Sequence, residues 1–315
     1  MHKIVIIGPG ALGGLLAARL GAVGRHETWL LDHDPDRAAL LAAQGIILSA
    51  NHTVNQVPIR ATAAPRMIGP ADLVLLCVKS RDVAAALDRA IPVLTDHSLL
   101  ISFQNGIRHL RLLAAYQGPG LAALGVTVLG ATGAGPGRVT LGGTGLTRIG
   151  LPTPARPGSP ALDLLARGAA TLNWAGLPTE VSSDILPHLW GKLLVNVGIN
   201  ALSAIHDCPN GRLPLIPAAR AQLIAAVREA EAVARAQGIV LPADGVAATL
   251  AVCQATANNL SSMLQDVRRG RRTEIEAING AVVEEARRLG LSAPVNQELV
   301  RRIRAIEKNF PDNFA

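Results

Sequence analysis

The chain has 315 residues, 49% of them apolar, which excludes wholesale disorder and suits two domains better than one. A formal charge of +7 suits an anionic ligand, but the one dense basic run, Arg268-Arg269-Gly270-Arg271-Arg272, has no interleaved aromatics for base stacking, so nucleic acid is not an expected partner. The three cysteines (Cys77, Cys208, Cys253) are scattered and form no CxxC, which argues against a disulfide framework or a zinc site and for a reducing cytosol.

Met1 to Ala22 has the early lysine and small residues of a signal peptide, but Gly8, Gly10, Gly13, Gly14 and Arg19 break any continuous apolar stretch. A cytosolic strand–turn–helix is expected instead: strand Lys3–Ile7, then helix Ala11–Val23. A strand Glu27–Asp32 and a helix Pro35–Gln44 follow, then buried strands at Asp72–Val78 and Ser98–Phe103, each leading into a helical segment. Strands alternating with helices are the pattern of βαβ units on a parallel sheet. Late strands are expected around Gly120–Val128, Arg138–Leu141 and Leu146–Ile149, with Gly142-Gly143-Thr144-Gly145 as a hairpin turn. Beyond a Pro/Gly-rich stretch (Leu151–Pro160) and a helix near Ala161–Trp174, helical patterns dominate: Asp184–Ile205, Ala218–Gln237, Thr273–Leu289 and Asn296–Lys308. The expected fold is α/β: an N-terminal Rossmann-type doubly wound sheet (residues 1–180) and a C-terminal all-helical domain (181–315). Nowhere is there an apolar run of the roughly 18 residues that a membrane span needs.

Gly8-Pro9-Gly10-Ala11-Leu12-Gly13 follows the strand KIVII and opens a helix, the context in which G-x-G-x-x-G binds a dinucleotide. The glycines allow a tight turn and close approach of the backbone to pyrophosphate, and the helix N-terminus supplies N–H groups for the phosphates. Asp32 ends the second strand, 19 residues after Gly13. A carboxylate there accepts hydrogen bonds from both ribose hydroxyls and repels a 2′-phosphate, favouring NAD(H). Arg37, a helical turn further on, is within sequence reach of such a phosphate.

Lys192, Asn196 and Asn200 are spaced i, i+4, i+8, so one helix face carries an ammonium and two carboxamides in an apolar stretch. A cleft-bound anion would partner them, and a desolvated lysine has a lowered pKa and serves as an acid near neutral pH. Spacing alone equally allows a snorkelling lysine with two asparagines bonded to a neighbouring loop. The histidines show no metal-ligand spacing, and no metal is expected.

Across its whole length the sequence resembles the ketopantoate reductase family (2-dehydropantoate 2-reductase). The blocks that carry the likeness are GPGALG, Cys77-Val78-Lys79-Ser80, Gln104-Asn105-Gly106, KLLVNVGINALSAI (192–205), Cys208-Pro209-Asn210-Gly211 and SSMLQDVRRGRRTEIEAING (261–280). The resemblance implies that Lys192 is the proton donor to the substrate oxygen. It implies that Asn196, Asn200 and Asn210 hydrogen-bond the substrate and that Ser262 holds its carboxylate. Glu274 would bind near the nicotinamide ribose and help orient Lys192, and Asn105 would sit between cofactor and substrate. Lys79 and, on a looser match, the backbone of Ala131 would contact the cofactor, along with Gly8, Pro9, Gly10, Ala11, Leu12 and Gly13. Family members that use NADPH usually carry a basic residue where Asp32 stands, so the resemblance favours NADP(H) and the residue itself NAD(H).

The implied reaction is reduction of 2-dehydropantoate to (R)-pantoate by a cytoplasmic enzyme in pantothenate and coenzyme A biosynthesis, in the cleft between the two domains. The implied partner is thus a small-molecule 2-oxo acid, with no membrane association; a homodimer is left open. Two other readings stay open: an NAD-dependent D-2-hydroxyacid dehydrogenase of the same family acting on other branched 2-oxo acids, and a non-catalytic dinucleotide sensor.

Overall fold

A computed structural model describes residues 1–50 and 52–310 and divides into two compact units. The first comprises Met1–Gln104 and Leu110–Ile185; the second comprises Asn105–His109 and the chain from Leu186 onward.

In the first unit the chain runs β1 (Lys3–Ile7), α1 (Ala11–Val23), β2 (Glu27–Leu31), α2 (Pro35–Gln44), β3 (Ile46–Ala50), β4 (Thr53–Val57), β5 (Arg60–Thr62) and β6 (Leu73–Leu76). It continues through α3 (Val83–Ala90), β7 (Leu99–Ser102), α4 (Leu110–Ala114), β8 (Leu121–Thr127), β9 (Gly130–Gly133), β10 (Arg138–Gly143), β11 (Thr147–Gly150), α5 (Pro160–Trp174) and β12 (Thr179–Val181). Eight strands form one sheet in the order β12-β11-β8-β7-β6-β1-β2-β5, parallel except where β11 runs against β8. The unbroken apolar runs of β1, β6 and β7 are explained by burial on both faces, as in a Rossmann-type sheet. β1 lies between β2 and β6, so the strand order reverses there and the end of β1 opens on the crevice where such sheets bind ligands.

A second sheet, β4-β3-β10-β9, contains the strand expected at Arg138–Leu141 as β10, but β3, β4 and β9 were not expected from the sequence; β9 is mostly glycine and small residues. α1 packs against it, and Gly14 leaves room for this, since a Cβ there would lie 2.7 Å from Val139 Cγ2. The segment Gly142–Gly145 is not a hairpin turn. Gly142 and Gly143 end β10, which pairs with β3 and β9, and Thr144 and Gly145 lead on to β11, which pairs with β8 and β12 in the other sheet.

In the second unit α6 (Leu186–Ile205) packs against α7 (Pro217–Ala236), α8 (Gly245–Ala255), α9 (Ser262–Arg268) and α11 (Pro294–Glu307), with α10 (Asn279–Arg288) against α7 and α11. Being surrounded, α6 is apolar on most sides, and Gly198 admits its neighbours: a Cβ there would meet Thr249 and Val227. The helix expected over Thr273–Leu289 begins only at Asn279. Thr273 is tied through its N–H and Oγ1 to Glu307 Oε1 at 2.8 and 2.6 Å, and Ile278 has a non-helical backbone, so Glu274 lies on a turn before α10. Among the described residues no helix is long and apolar enough to cross a membrane.

Candidate active site

The glycine turn joins β1 to α1. Gly8 has φ +98°, and a Cβ on it would lie 2.8 Å from Val78 Cγ1; a Cβ on Gly13 would fall on the Gly8 carbonyl oxygen. Both glycines are therefore required by the fold itself. Gly10 is different: nothing among the described residues lies within 4 Å of where its Cβ would be, and as N-cap of α1 it gives no side-chain cap to the N–H groups of the first turn. Open space before an uncapped helix start, flanked by Pro9, Ala11 and Leu12, fits the phosphates of a dinucleotide.

Asp32, just after β2, is buried and already occupied. Arg37 Nε and Nη2 donate to its two carboxylate oxygens, each at 2.5 Å, and Asp34 N–H donates to Oδ1 at 3.2 Å. Behind it, Arg89 Nη2 donates to the backbone carbonyls of Asp32 and Ala63 at 2.6 and 2.7 Å. The carboxylate expected to face a ribose thus anchors an arginine. Lys79, half-buried, precedes a short 3₁₀ turn after β6, and Ala131 sits in β9 paired with Leu141.

In the second unit, Lys192, Asn196 and Asn200 lie on α6, two half-buried and Asn200 buried. Burial pulls the Lys192 pKa down from 10.5 to about 8, and Glu274 holds it from falling further. Asn105 Nδ2 donates to Glu274 Oε2 at 3.1 Å. The Asn105 segment is fixed by Gly106, whose φ of +79° turns the chain so that Ile107 N–H donates to Ala277 O at 3.2 Å; a Cβ on Gly106 would strike that carbonyl. The structure therefore groups Lys192, Glu274 and Asn105.

It adds His109, which sequence reasoning did not single out. Its imidazole is buried, Nδ1 finds no hydrogen-bond partner among the described residues, and burial pushes its pKa down to about 4, with Glu274 opposing and Lys192 assisting. It is neutral at physiological pH, so the charges beside it are those of Lys192 and Glu274. Its only signal in the sequence was its position four residues after Asn105.

Asn210 opens a 3₁₀ turn (Asn210–Leu215) packed against α6 and α8, and is buried. Asn200 Nδ2, a donor on α6, and Asn210 Oδ1, an acceptor, are among the buried polar atoms without partners among the described residues. Ser262 is exposed at the start of α9. Its neighbour Ser261 is buried, capping the helix by accepting from Leu264 N–H at 3.1 Å and sharing a 2.5 Å hydrogen bond with Ser203 Oγ.

The chain is similar along nearly its whole length to known proteins. Residues 4–153 match the family model described as "Ketopantoate reductase PanE/ApbA", and residues 184–307 match "Ketopantoate reductase PanE/ApbA C terminal". A 2-dehydropantoate 2-reductase from Halobacterium salinarum is 34% identical over 308 residues, covering 98% of this chain and 99% of its own. A crystal structure of a PanE/ApbA family ketopantoate reductase from Ralstonia eutropha superposes with TM-score 0.87 at 34% identity, covering 97% and 98% of the two chains. A complex of D-mandelate dehydrogenase with NADH gives TM-score 0.84 at 25% identity, covering 98% of this chain and all of the other (100%).

Proposed function

We propose that this chain, which belongs to the ketopantoate reductase family, reduces the 2-oxo group of 2-dehydropantoate to give (R)-pantoate, the step that serves pantothenate and coenzyme A synthesis. The observation that carries the reading is a lysine with its pKa drawn down to about 8 inside a helical unit, coupled to a glutamate that an asparagine holds in place. A bound nicotinamide dinucleotide would supply the hydride for the carbonyl carbon. Gly8 to Gly13 would hold its pyrophosphate, with Lys79 and Ala131 as further contacts. Negative charge develops on the substrate oxygen as reduction proceeds. The Lys192 ammonium, fixed in advance, neutralises that charge and passes its proton to the oxygen. Glu274 keeps Lys192 protonated and oriented, Asn105 positions Glu274, and Asn196, Asn200, Asn210 and Ser262 hold the rest of the substrate. The free cysteines support a reducing cytoplasm as the setting.

Both dinucleotides are accepted in this reading. Asp32 neutralises Arg37, so a 2′-phosphate meets a paired guanidinium and not a bare carboxylate, and a plain ribose meets no excess positive charge. A second substrate reading, reduction of branched 2-oxo acids without a hydroxyl, has its support in the likeness to the D-mandelate dehydrogenase–NADH complex. The unpartnered Asn200 Nδ2 and Asn210 Oδ1 favour the first, because an alcohol both accepts and donates. Steady-state assays of 2-dehydropantoate and trimethylpyruvate, each with NADH and NADPH, test it. The expected result is a strong kcat/KM preference for 2-dehydropantoate; equal use of the two acids would overturn the assignment.

A further inference from the structure

Asn210 is held on two sides by the loop that follows α8. Its N–H donates to Asn259 O at 3.0 Å and Gly211 N–H to Ala257 O at 3.1 Å; Gly211 is needed for this approach, since a Cβ there would lie 2.6 Å from that of Ala257. The first residue of the same loop, Thr256, meets the side chain. Asn210 Nδ2 and Thr256 Oγ1 are 2.9 Å apart, while Thr256 Oγ1 lies 2.7 Å from Val252 O. A carbonyl can only accept, so the single proton of the hydroxyl goes to Val252. Toward Asn210 the hydroxyl can then act only as an acceptor, and the carboxamide must present its NH₂ there. The amide's two ends are not interchangeable in this site. With Nδ2 committed, Oδ1 is left buried and without a partner among the described residues, as a lone acceptor. Leaving it so costs free energy unless a ligand donates to it.

We propose that Thr256 is a positioning residue for substrate specificity: it locks the Asn210 carboxamide with its oxygen toward the substrate, so that the site selects a 2-oxo acid bearing a hydroxyl donor. This rests on the reading of Asn210 as a substrate ligand. Without the Thr256 acceptor the amide is free to turn over and present NH₂, which cannot receive the proton of an alcohol.

The test measures kcat/KM for 2-dehydropantoate and for trimethylpyruvate, which lacks the hydroxyl, on wild type, Thr256→Val, Thr256→Ser, Asn210→Ala and the double variant Thr256→Val/Asn210→Ala, with a thermal melt of each. The wild type is expected to prefer 2-dehydropantoate, and Asn210→Ala to erase most of that preference. Thr256→Val should lower the preference by about tenfold or more, chiefly through KM for 2-dehydropantoate, with trimethylpyruvate nearly unaffected. Thr256→Ser, which keeps the hydroxyl, should retain the preference, and the double variant should be no worse than Asn210→Ala, because the threonine acts through the asparagine. If Thr256→Val weakens both substrates alike, or the double variant shows the two losses multiplied, Thr256 is merely structural and the inference falls. If Asn210→Ala erases the preference while Thr256→Val leaves it intact, the inference falls and the asparagine reading stands. A wild type that does not prefer 2-dehydropantoate overturns both.

Discussion

Replacing Lys192 by Met should make the protein more stable and nearly inactive, two effects with one physical cause. In the fold the ammonium has a pKa of about 8 against 10.5 for an ordinary lysine, a gap of about 2.5 pH units. At about 1.4 kcal/mol per unit this is ~3 kcal/mol by which the folded state disfavours the charged form. The sign follows from proton binding. Below pH 8 folded and unfolded chains are both protonated and the fold bears the whole penalty. Between pH 8 and 10.5 the folded chain releases its proton first, so this lysine's contribution makes stability rise with pH. Thioether burial carries no such penalty. Chemical denaturation at pH 7 should therefore find Lys192→Met more stable than wild type by up to about 3 kcal/mol, and at pH 10 the advantage should shrink to under about 1 kcal/mol. Turnover should fall on the order of 10²-fold or more, the usual scale for a lost general acid. Dinucleotide binding, followed by cofactor fluorescence, should be retained, because the glycine turn belongs to the other unit. In the wild type, kcat should decline above about pH 8 as the donor loses its proton. A stability difference that ignores pH, or a kcat profile flat from pH 7 to 10, would refute the assignment of Lys192 as a desolvated acid.

The glycine turn separates by the same kind of test. Gly10→Ala should melt within a degree or two of wild type yet bind dinucleotide about tenfold or more weaker, whereas Gly13→Ala, with its Cβ on the Gly8 carbonyl, should unfold at markedly lower temperature. Wild type should discriminate between NADH and NADPH by less than about 100-fold in kcat/KM, roughly 2.7 kcal/mol. Asp32→Asn, which frees the Arg37 charge, should shift preference toward NADPH by about tenfold, and Arg37→Ala toward NADH; parallel kinetics with both cofactors would show either shift absent if the pair has no role. His109→Asn should leave a folded protein whose kcat-pH profile moves upward, since a smaller, wetter neighbour lets Lys192 hold its proton more tightly; an unmoved profile would place His109 outside the site's electrostatics.

The Rossmann-type unit was legible where burial and local chemistry coincide. KIVII is a short apolar run bounded by a glycine turn, as a strand buried on both faces is, and the glycines after it leave little choice of turn, so β1 and α1 fall where the residues say. Of the small second sheet only β10 was legible, as the strand expected at Arg138–Leu141. β9 reads Gly-Ala-Thr-Gly and β4 is almost wholly exposed, so neither has the alternation that marks a half-buried strand; pairing makes them strands, β9 with β10 and β4 with β3. Gly142–Gly145 failed for a related reason. Glycines announce a turn, but which strands flank it is settled by pairing partners far away in the chain.

The site divides along the same line. Lys192, Asn196 and Asn200 lie on one helix, so their spacing alone put them on a common face, and α6 confirms the helix. Asn105, His109 and Glu274 come from segments some 165 or more residues apart, and only the Gly106 turn against Ala277 brings them together; no local pattern encodes that meeting. Asp32 is the instructive intermediate case. The sequence places it at the end of a strand Glu27–Asp32, and in the structure it lies just after β2, which ends at Leu31. Arg37, one helical turn on, takes both oxygens. A charge in a sequence is a capacity, and the partner that uses it decides what remains for a ligand. Among the described residues the groups left over include the N–H groups beyond Gly10 and the Asn200 and Asn210 amide atoms. The chemistry follows from those unspent capacities more than from the residue types that a motif records.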